Sequence, residues 1–180
     1  LPSPEWKKKA FKRPADQVWF PGETVNFGVG QGYLLVTPLQ LAHVASVIAE
    51  RGKSFKPRLV TAVKETADRT DNMAVSVNPP VQGVAEDDWN IVLKGMIGAT
   101  TYGTAAYTAG KGAPYTIAGK TGTAQKLVNG AYSHSEYNVS FTGFVPSRNP
   151  RFAMVVVVDT PRNGAYFGGS VSGPIFHRIA

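Results

Sequence analysis

"TIAGKTGTAQ", residues 116–125, decides how the rest of the chain is read. Its centre, Gly119-Lys120-Thr121, offers one lysine two incompatible jobs. A phosphate-binding loop has the pattern Gly-x-x-x-x-Gly-Lys-Thr/Ser and opens a helix whose N-terminus holds the anion. Counting back from Gly119, the first glycine of that pattern falls on Pro114. Thr116-Ile117-Ala118 and Thr123-Ala124-Gln125 read as one continuous strand with Lys120 in its middle. The phosphate reading therefore fails on pattern and on context. A strand lysine followed by Thr121, Gly122 and Thr123 suits different chemistry. An ammonium beside a nucleophile assists proton transfer and attracts a carboxylate, and neighbouring hydroxyls donate to that carboxylate. Glycine keeps a strand open to the close approach of another backbone. A backbone N–H further along can stabilise an oxyanion.

Working outward, the segment after this strand reads as a meander. Asn129-Gly130 is a hairpin turn signal. A second strand is expected at about 137–145, a turn at Pro146-Ser147-Arg148-Asn149-Pro150, and a third strand at 151–159. The run Phe152 to Val158 is apolar enough to predict burial on both faces. A glycine-rich loop, 164–169, leads to a closing helix from about Val171. Upstream, Thr37-Pro38-Leu39-Gln40 has the form of a capping box with proline at the first helical position. Leu41, Val44, Ala45 and Ile48 recur at helical spacing, and Gly52 stops the run. A second helix is expected over roughly 86–98, with Glu86, Asp87 and Asp88 favoring its start and Trp89, Val92, Leu93 and Met96 forming its apolar face. Short strands are expected at 55–63 and 74–78, split by the polar stretch Lys64 to Asn72. Residues 99–115 read as a Gly- and Thr-rich loop, and residues 1–33 as an extended, loop-rich entry.

The 180 residues, 43% hydrophobic and 17% charged, suffice for one domain with a core. No run reaches the roughly 18 apolar residues of a membrane helix. There is no cysteine, which excludes disulfides and thiolate metal sites, and His43, His134 and His177 lack metal-ligand spacing. The net charge is +7, with Lys7, Lys8, Lys9, Lys12 and Arg13 clustered. That cluster reads either as an attractor for an anionic surface or as a solvated basic loop. No aromatic-plus-basic nucleic-acid module is present. Gly28, Gly30 and Gly32 do not make a dinucleotide fingerprint, because its third glycine would fall on Tyr33. They read as sites of close backbone packing.

Lys120-Thr121-Gly122 also matches a signature of serine β-lactamases and penicillin-binding proteins. It does not stand alone. "APYTIAGKTGTAQ" (113–125), "FGVGQGYLLVTPLQLA" (27–42), "NPRFAMVVVVD" (149–159) and "GGSVSGPIF" (168–176) resemble, in order and separation, the C-terminal half of the transpeptidase domain of class B penicillin-binding proteins. "FKRPADQVWFPGETVNFGVGQGY" is similar to elongation-type members, the penicillin-binding protein 2 group, and "AYFGGSVSGPIF" to division-type members; the elongation type is favored.

The resemblance implies an α/β (α+β) sandwich, with a five-stranded antiparallel sheet flanked by helices and incomplete at its N-terminal side. Residues 1–180 would be the C-terminal portion of one such domain. The implied reaction is cross-linking of peptidoglycan stem peptides: a serine attacks the D-Ala–D-Ala amide, and β-lactam antibiotics acylate the same serine. No cofactor or metal is implied, nor any nucleic acid. Other cell-wall synthesis proteins are the implied partners. The implied location is the periplasmic face of the bacterial inner membrane, with an N-terminal helix as anchor. Carried onto this chain, Lys120, Thr121 and Gly122 are the catalytic candidates. Thr121 and Thr123 would bind the substrate carboxylate, and the Thr123 N–H would serve the oxyanion hole. Tyr166 and Phe167 resemble an aromatic wall beside the substrate, and equally read as packed loop aromatics.

The first family motif, Ser-x-x-Lys, is absent from the sequence. Ser147-Arg148-Asn149 fits the second, Ser-x-Asn, by letters, but it follows Lys-Thr-Gly where the family places it before. The expectation is that both motifs precede residue 1 in a longer parent. These residues by themselves would then not be acylated by penicillin and would pack loosely. Two alternatives stay open: a β-lactamase or D,D-carboxypeptidase relative, and a non-catalytic β-lactam sensor or cell-wall scaffold domain.

Overall fold

A computed structural model describes residues 1–65, 70–162 and 164–180. The chain divides into two compact units, residues 1–37 and 38–180. Part of the polar stretch expected between Lys64 and Asn72 lies outside the described residues.

The larger unit is built on an antiparallel sheet of β5 (Ala118–Val128), β6 (Ala131–Val145) and β7 (Phe152–Asp159), in that spatial order. Asn129 and Gly130 close the β5–β6 hairpin with φ of 52° and 82°. This is the left-handed pair that a tight hairpin turn requires. The register sets Lys120 opposite Thr142, Thr121 opposite Phe141 and Thr123 opposite Val139.

Alternation along β6 then sends Phe141 to one face and Phe144 to the other. Phe141 packs with Val145, Ile117 and Phe176, the last from α5 (Gly168–Ile179). The Phe141 and Phe176 rings meet edge-on with centroids 4.6 Å apart. Phe144 packs with Ala118 and Ala45 on the opposite face, beneath α3 (Pro38–Ala49) and α4 (Glu86–Thr101). The result is helices on both faces of an antiparallel sheet, the α+β sandwich. Among the described residues the principal sheet has three strands, fewer than the five of the whole domain, in keeping with the incomplete sheet expected.

Several local expectations need correction. β7 is not buried on both faces, since Phe152 and Val157 are 71% and 40% exposed. Among the described residues it forms an edge of the sheet, and helix cover reaches its middle (Ala153, Met154, Val156) rather than its ends. The strands expected at 55–63 and 74–78 are two small ribbons. β1 (Ser54–Phe55) pairs with β4 (Val77–Asn78), and β2 (Ala62–Lys64) pairs with β3 (Thr70–Asn72). The expected loop at 99–115 holds the last turn of α4 and a π-helical turn at Ala106–Gly110. On α4, Ile97 joins Leu93 and Met96 against the core, while Val92 is exposed. On α3, Val44 is exposed and Ala49 takes a place in the core. α5 begins three residues before Val171, at Gly168.

Residues 1–37 are helical rather than extended. Pro4 opens α1 (Pro4–Ala10), whose Ser3 cap accepts a hydrogen bond from the Trp6 N–H. A 3-10 turn (Pro14–Gln17) and α2 (Pro21–Gly28) follow. In the basic cluster Lys8, Lys9, Lys12 and Arg13 are exposed, as a solvated reading expects, but Lys7 to Lys9 lie on α1 rather than in a loop and Lys7 departs from the rest. Lys7 is buried; its ammonium pairs with Glu23, donates to the Val18 carbonyl at 2.6 Å, and lies 5.4 Å from the ring centers of Phe20 and Tyr33. Gly30 and Gly32 supply φ of 80° and 70° to a turn, and a Cβ on Gly28 or Gly30 would meet nothing within 4 Å. Conformation, not close packing, explains the two positive-φ glycines. Among the described residues, no helix is long and apolar enough to cross a membrane.

Candidate functional site

The candidate residues gather where β5 meets the start of α5. Among the described residues β5 pairs with β6 along one edge and with no strand along the other, so Lys120 to Thr123 lie on an open strand edge. Thr121 and Thr123, two positions apart, share the face that α5 covers. The Gly168 N–H donates to Thr123 Oγ1 at 3.1 Å. Thr104, on the segment after α4, places its Oγ1 3.2 Å from Thr121 Oγ1. The Lys120 ammonium is exposed and donates to the Thr121 carbonyl at 2.7 Å, with Thr121 Oγ1 3.5 Å away.

One glycine makes this contact possible, and a second fits β5 against β6. A Cβ on Gly168 would stand 2.3 Å from the Gly122 carbonyl oxygen and 2.4 Å from that of Ser140. A Cβ on Gly122 would stand 2.4 Å from Ser140 Oγ. Helix and sheet thus touch backbone to backbone, which holds the Gly168 N–H within reach of Thr123.

Tyr166 and Phe167 immediately precede α5 and are 42% and 58% exposed. Tyr166 stacks on Tyr137 of β6 at 4.9 Å and leans on Phe167 at 4.4 Å. The loop aromatics therefore pack on one another and also present surface beside Thr123. Ser147 lies in the turn after β6, is buried, and donates its N–H to the Thr116 carbonyl. The structure thus leaves the Ser147-Arg148-Asn149 match as a turn.

Chemically, the cluster combines one cation, two strand hydroxyls and an unpaired strand edge. That combination can hold a carboxylate and an extended peptide. A cleft of about 680 Å³, lined by Tyr102, Tyr107, Lys111 and Tyr115 among others, touches none of Lys120 to Thr123. Sequence reasoning did not single out Thr104 or Gly168. Their separations from β5, 17 and 45 residues, carry no periodic signal, and only the tertiary contact brings them in.

Comparison with known proteins bears on the family and the fold. The family described as the penicillin binding protein transpeptidase domain matches residues 8–180. The peptidoglycan D,D-transpeptidase MrdA of Escherichia coli is 30% identical over 180 residues, covering 93% of this chain and 27% of its own length. The peptidoglycan D,D-transpeptidase FtsI of the same organism is 36% identical over 170 residues, covering 92% and 26%. The chain thus spans about a quarter of the curated relatives it matches. Among solved structures, Pseudomonas aeruginosa PBP2 in complex with WCK 5153 superposes with a TM-score of 0.77 at 32% identity, over 99% of this chain and 35% of that one. The transpeptidase domain of Burkholderia pseudomallei penicillin-binding protein 3 gives a TM-score of 0.61 at 30% identity, over 95% and 46%. A family match over nearly every residue, joined to the same fold in solved members, shows that the chain belongs to the penicillin-binding protein transpeptidase family.

Proposed function

We propose that residues 1–180 are the C-terminal portion of a single transpeptidase domain, and that the parent is a serine-type peptidoglycan D,D-transpeptidase of the elongation type. Its substrates are stem peptides ending in D-Ala–D-Ala, and β-lactams acylate the same nucleophile. The serine, its lysine base and the Ser-x-Asn group come from outside residues 1–180. The parent works at the periplasmic face of the inner membrane, held by an N-terminal helix and in contact with other cell-wall synthesis proteins.

Within this chain, Lys120 attracts the terminal carboxylate and favors proton movement at the reacting center. Thr121 and Thr123 donate to that carboxylate. Gly122 keeps the strand edge open, and that edge receives the extended peptide. The Thr123 N–H is an oxyanion donor. Tyr166 and Phe167 flank the bound peptide. The observation that carries this reading is the joining of Lys120, Thr121 and Thr123 on an open strand edge against the start of α5.

The test is a cross-linking assay on the full-length parent with a D-Ala–D-Ala pentapeptide donor and an amine acceptor. The expected result is release of D-Ala with formation of the cross-linked product, blocked by benzylpenicillin. Rapid turnover of benzylpenicillin without cross-linking would assign a β-lactamase instead. No reaction with either compound would assign a scaffold.

A further inference from the structure

Thr104 lies outside the Lys-Thr-Gly motif, yet it meets that motif at a single atom. Its Oγ1 is 3.2 Å from Thr121 Oγ1, and its carbonyl oxygen fills the space a Gly169 side chain would need, 2.5 Å from the Cβ position. The residue is therefore packed against the beginning of α5 through its backbone and against β5 through its hydroxyl.

We propose that Thr104 is a positioning residue that acts through Thr121, donating its proton to Thr121 Oγ1 so that Thr121 keeps its own proton for the substrate carboxylate. The inference rests on the carboxylate-binding role proposed above. A threonine hydroxyl has one proton and two lone pairs. Were Thr121 to give its proton to Thr104, it would turn only lone pairs toward an anion. The surroundings favor the opposite direction. The Lys120 ammonium, 3.5 Å from Thr121 Oγ1, can donate and cannot accept. Thr123 is placed in the same way, because its Oγ1 accepts from the Gly168 N–H, a group that can only donate. Two hydroxyls on one face of β5 are thus each approached by donors, which leaves each proton free to point outward. Donation into a hydroxyl also strengthens the bond that hydroxyl then makes to an anion.

The experiment measures second-order acylation of the full-length parent by benzylpenicillin and by its methyl ester, which lacks the carboxylate charge. Thr104→Val is expected to slow the acid by roughly three- to tenfold, the effect of one neutral hydrogen bond. The ester rate should be nearly unchanged, and Thr104→Ser should restore the acid rate. In a Thr121→Val background, Thr104→Val should add nothing further. Thr104→Ala, which deletes the hydroxyl without adding bulk, should repeat the Val result. Equal slowing of acid and ester, an additional loss in the Thr121→Val background, or no slowing at all would each overturn the inference alone. A wild-type parent acylated by neither compound would overturn the functional reading and this inference with it.

Discussion

Residues 1–37 and the sheet unit solve the problem of a small interior with opposite chemistry. The first encloses a cation: Lys7 sits among Phe11, Phe20 and Tyr33, and Glu23 supplies the counter-charge. The second encloses hydrocarbon: Phe141, Phe144 and Phe176 are at most 1% exposed. An ion pair among aromatic rings depends on protonation and geometry, whereas a phenylalanine core depends on volume. The two regions should therefore fail under different insults.

The largest effect should come from the hydrocarbon side. Phe141→Ala removes a ring that touches both Ile117 and Phe176, and is expected to cost about 3–5 kcal/mol. A fall in the chemical-denaturation midpoint of the sheet unit, with the environment of Trp6 and Trp19 unchanged, checks it. A simultaneous change in both regions would erase the distinction.

Next is Gly168→Ala. The new methyl would press on two backbone oxygens, those of Gly122 and Ser140, which cannot rotate away. The expected loss is about 1–3 kcal/mol, as for other overpacked sites. The start of α5 should move and break the Gly168–Thr123 hydrogen bond, which the Gly168 amide resonance would report.

The cation side sharpens the contrast through pH. Burial, the largest single influence, would by itself push the Lys7 ammonium down, but the hydrogen bond and charge of Glu23 together with Tyr33 outweigh it and the net direction is up. The hydrogen bond from Lys7 holds the Glu23 carboxyl below its usual value. With the Lys7 value raised on folding, its contribution is fully present below the unfolded value of about 10.4 and is lost as pH rises through the folded one. With the Glu23 value lowered, its contribution is present above about 4.3 and is lost as pH falls through the folded one. Protection of residues 1–37 from proteolysis should therefore hold at intermediate pH and decline at both extremes. Lys7→Met should flatten that profile and leave the sheet unit unaffected; an unchanged profile would remove Lys7 and Glu23 as its cause.

The same contrast explains what the sequence could reveal. β5, the Asn129-Gly130 turn and α3 were legible because each depends on local signals: alternation, a positive-φ pair, a proline start and a glycine stop. The N-terminal helices were passed over although Ser3-Pro4 and Phe20-Pro21 start them with local signals; what ties them together, a contact between residues 7 and 23, carries no periodicity. Val158 and its neighbors read as doubly buried, since an apolar run does not reveal that its strand lies at a sheet edge. Lys120, Thr121 and Thr123 were legible as a motif. Thr104 and Gly168 were not, since only folding brings them to β5.

The central claim is that Lys120 serves an acyl-transfer site completed by a serine outside this chain. Intact-mass analysis of the full-length parent after exposure to benzylpenicillin tests it most directly, with Lys120→Ala alongside. The account expects one stable penicilloyl adduct on the wild type and much slower adduct formation on Lys120→Ala. Equal labeling of the two proteins, or no adduct on the wild type, would contradict it.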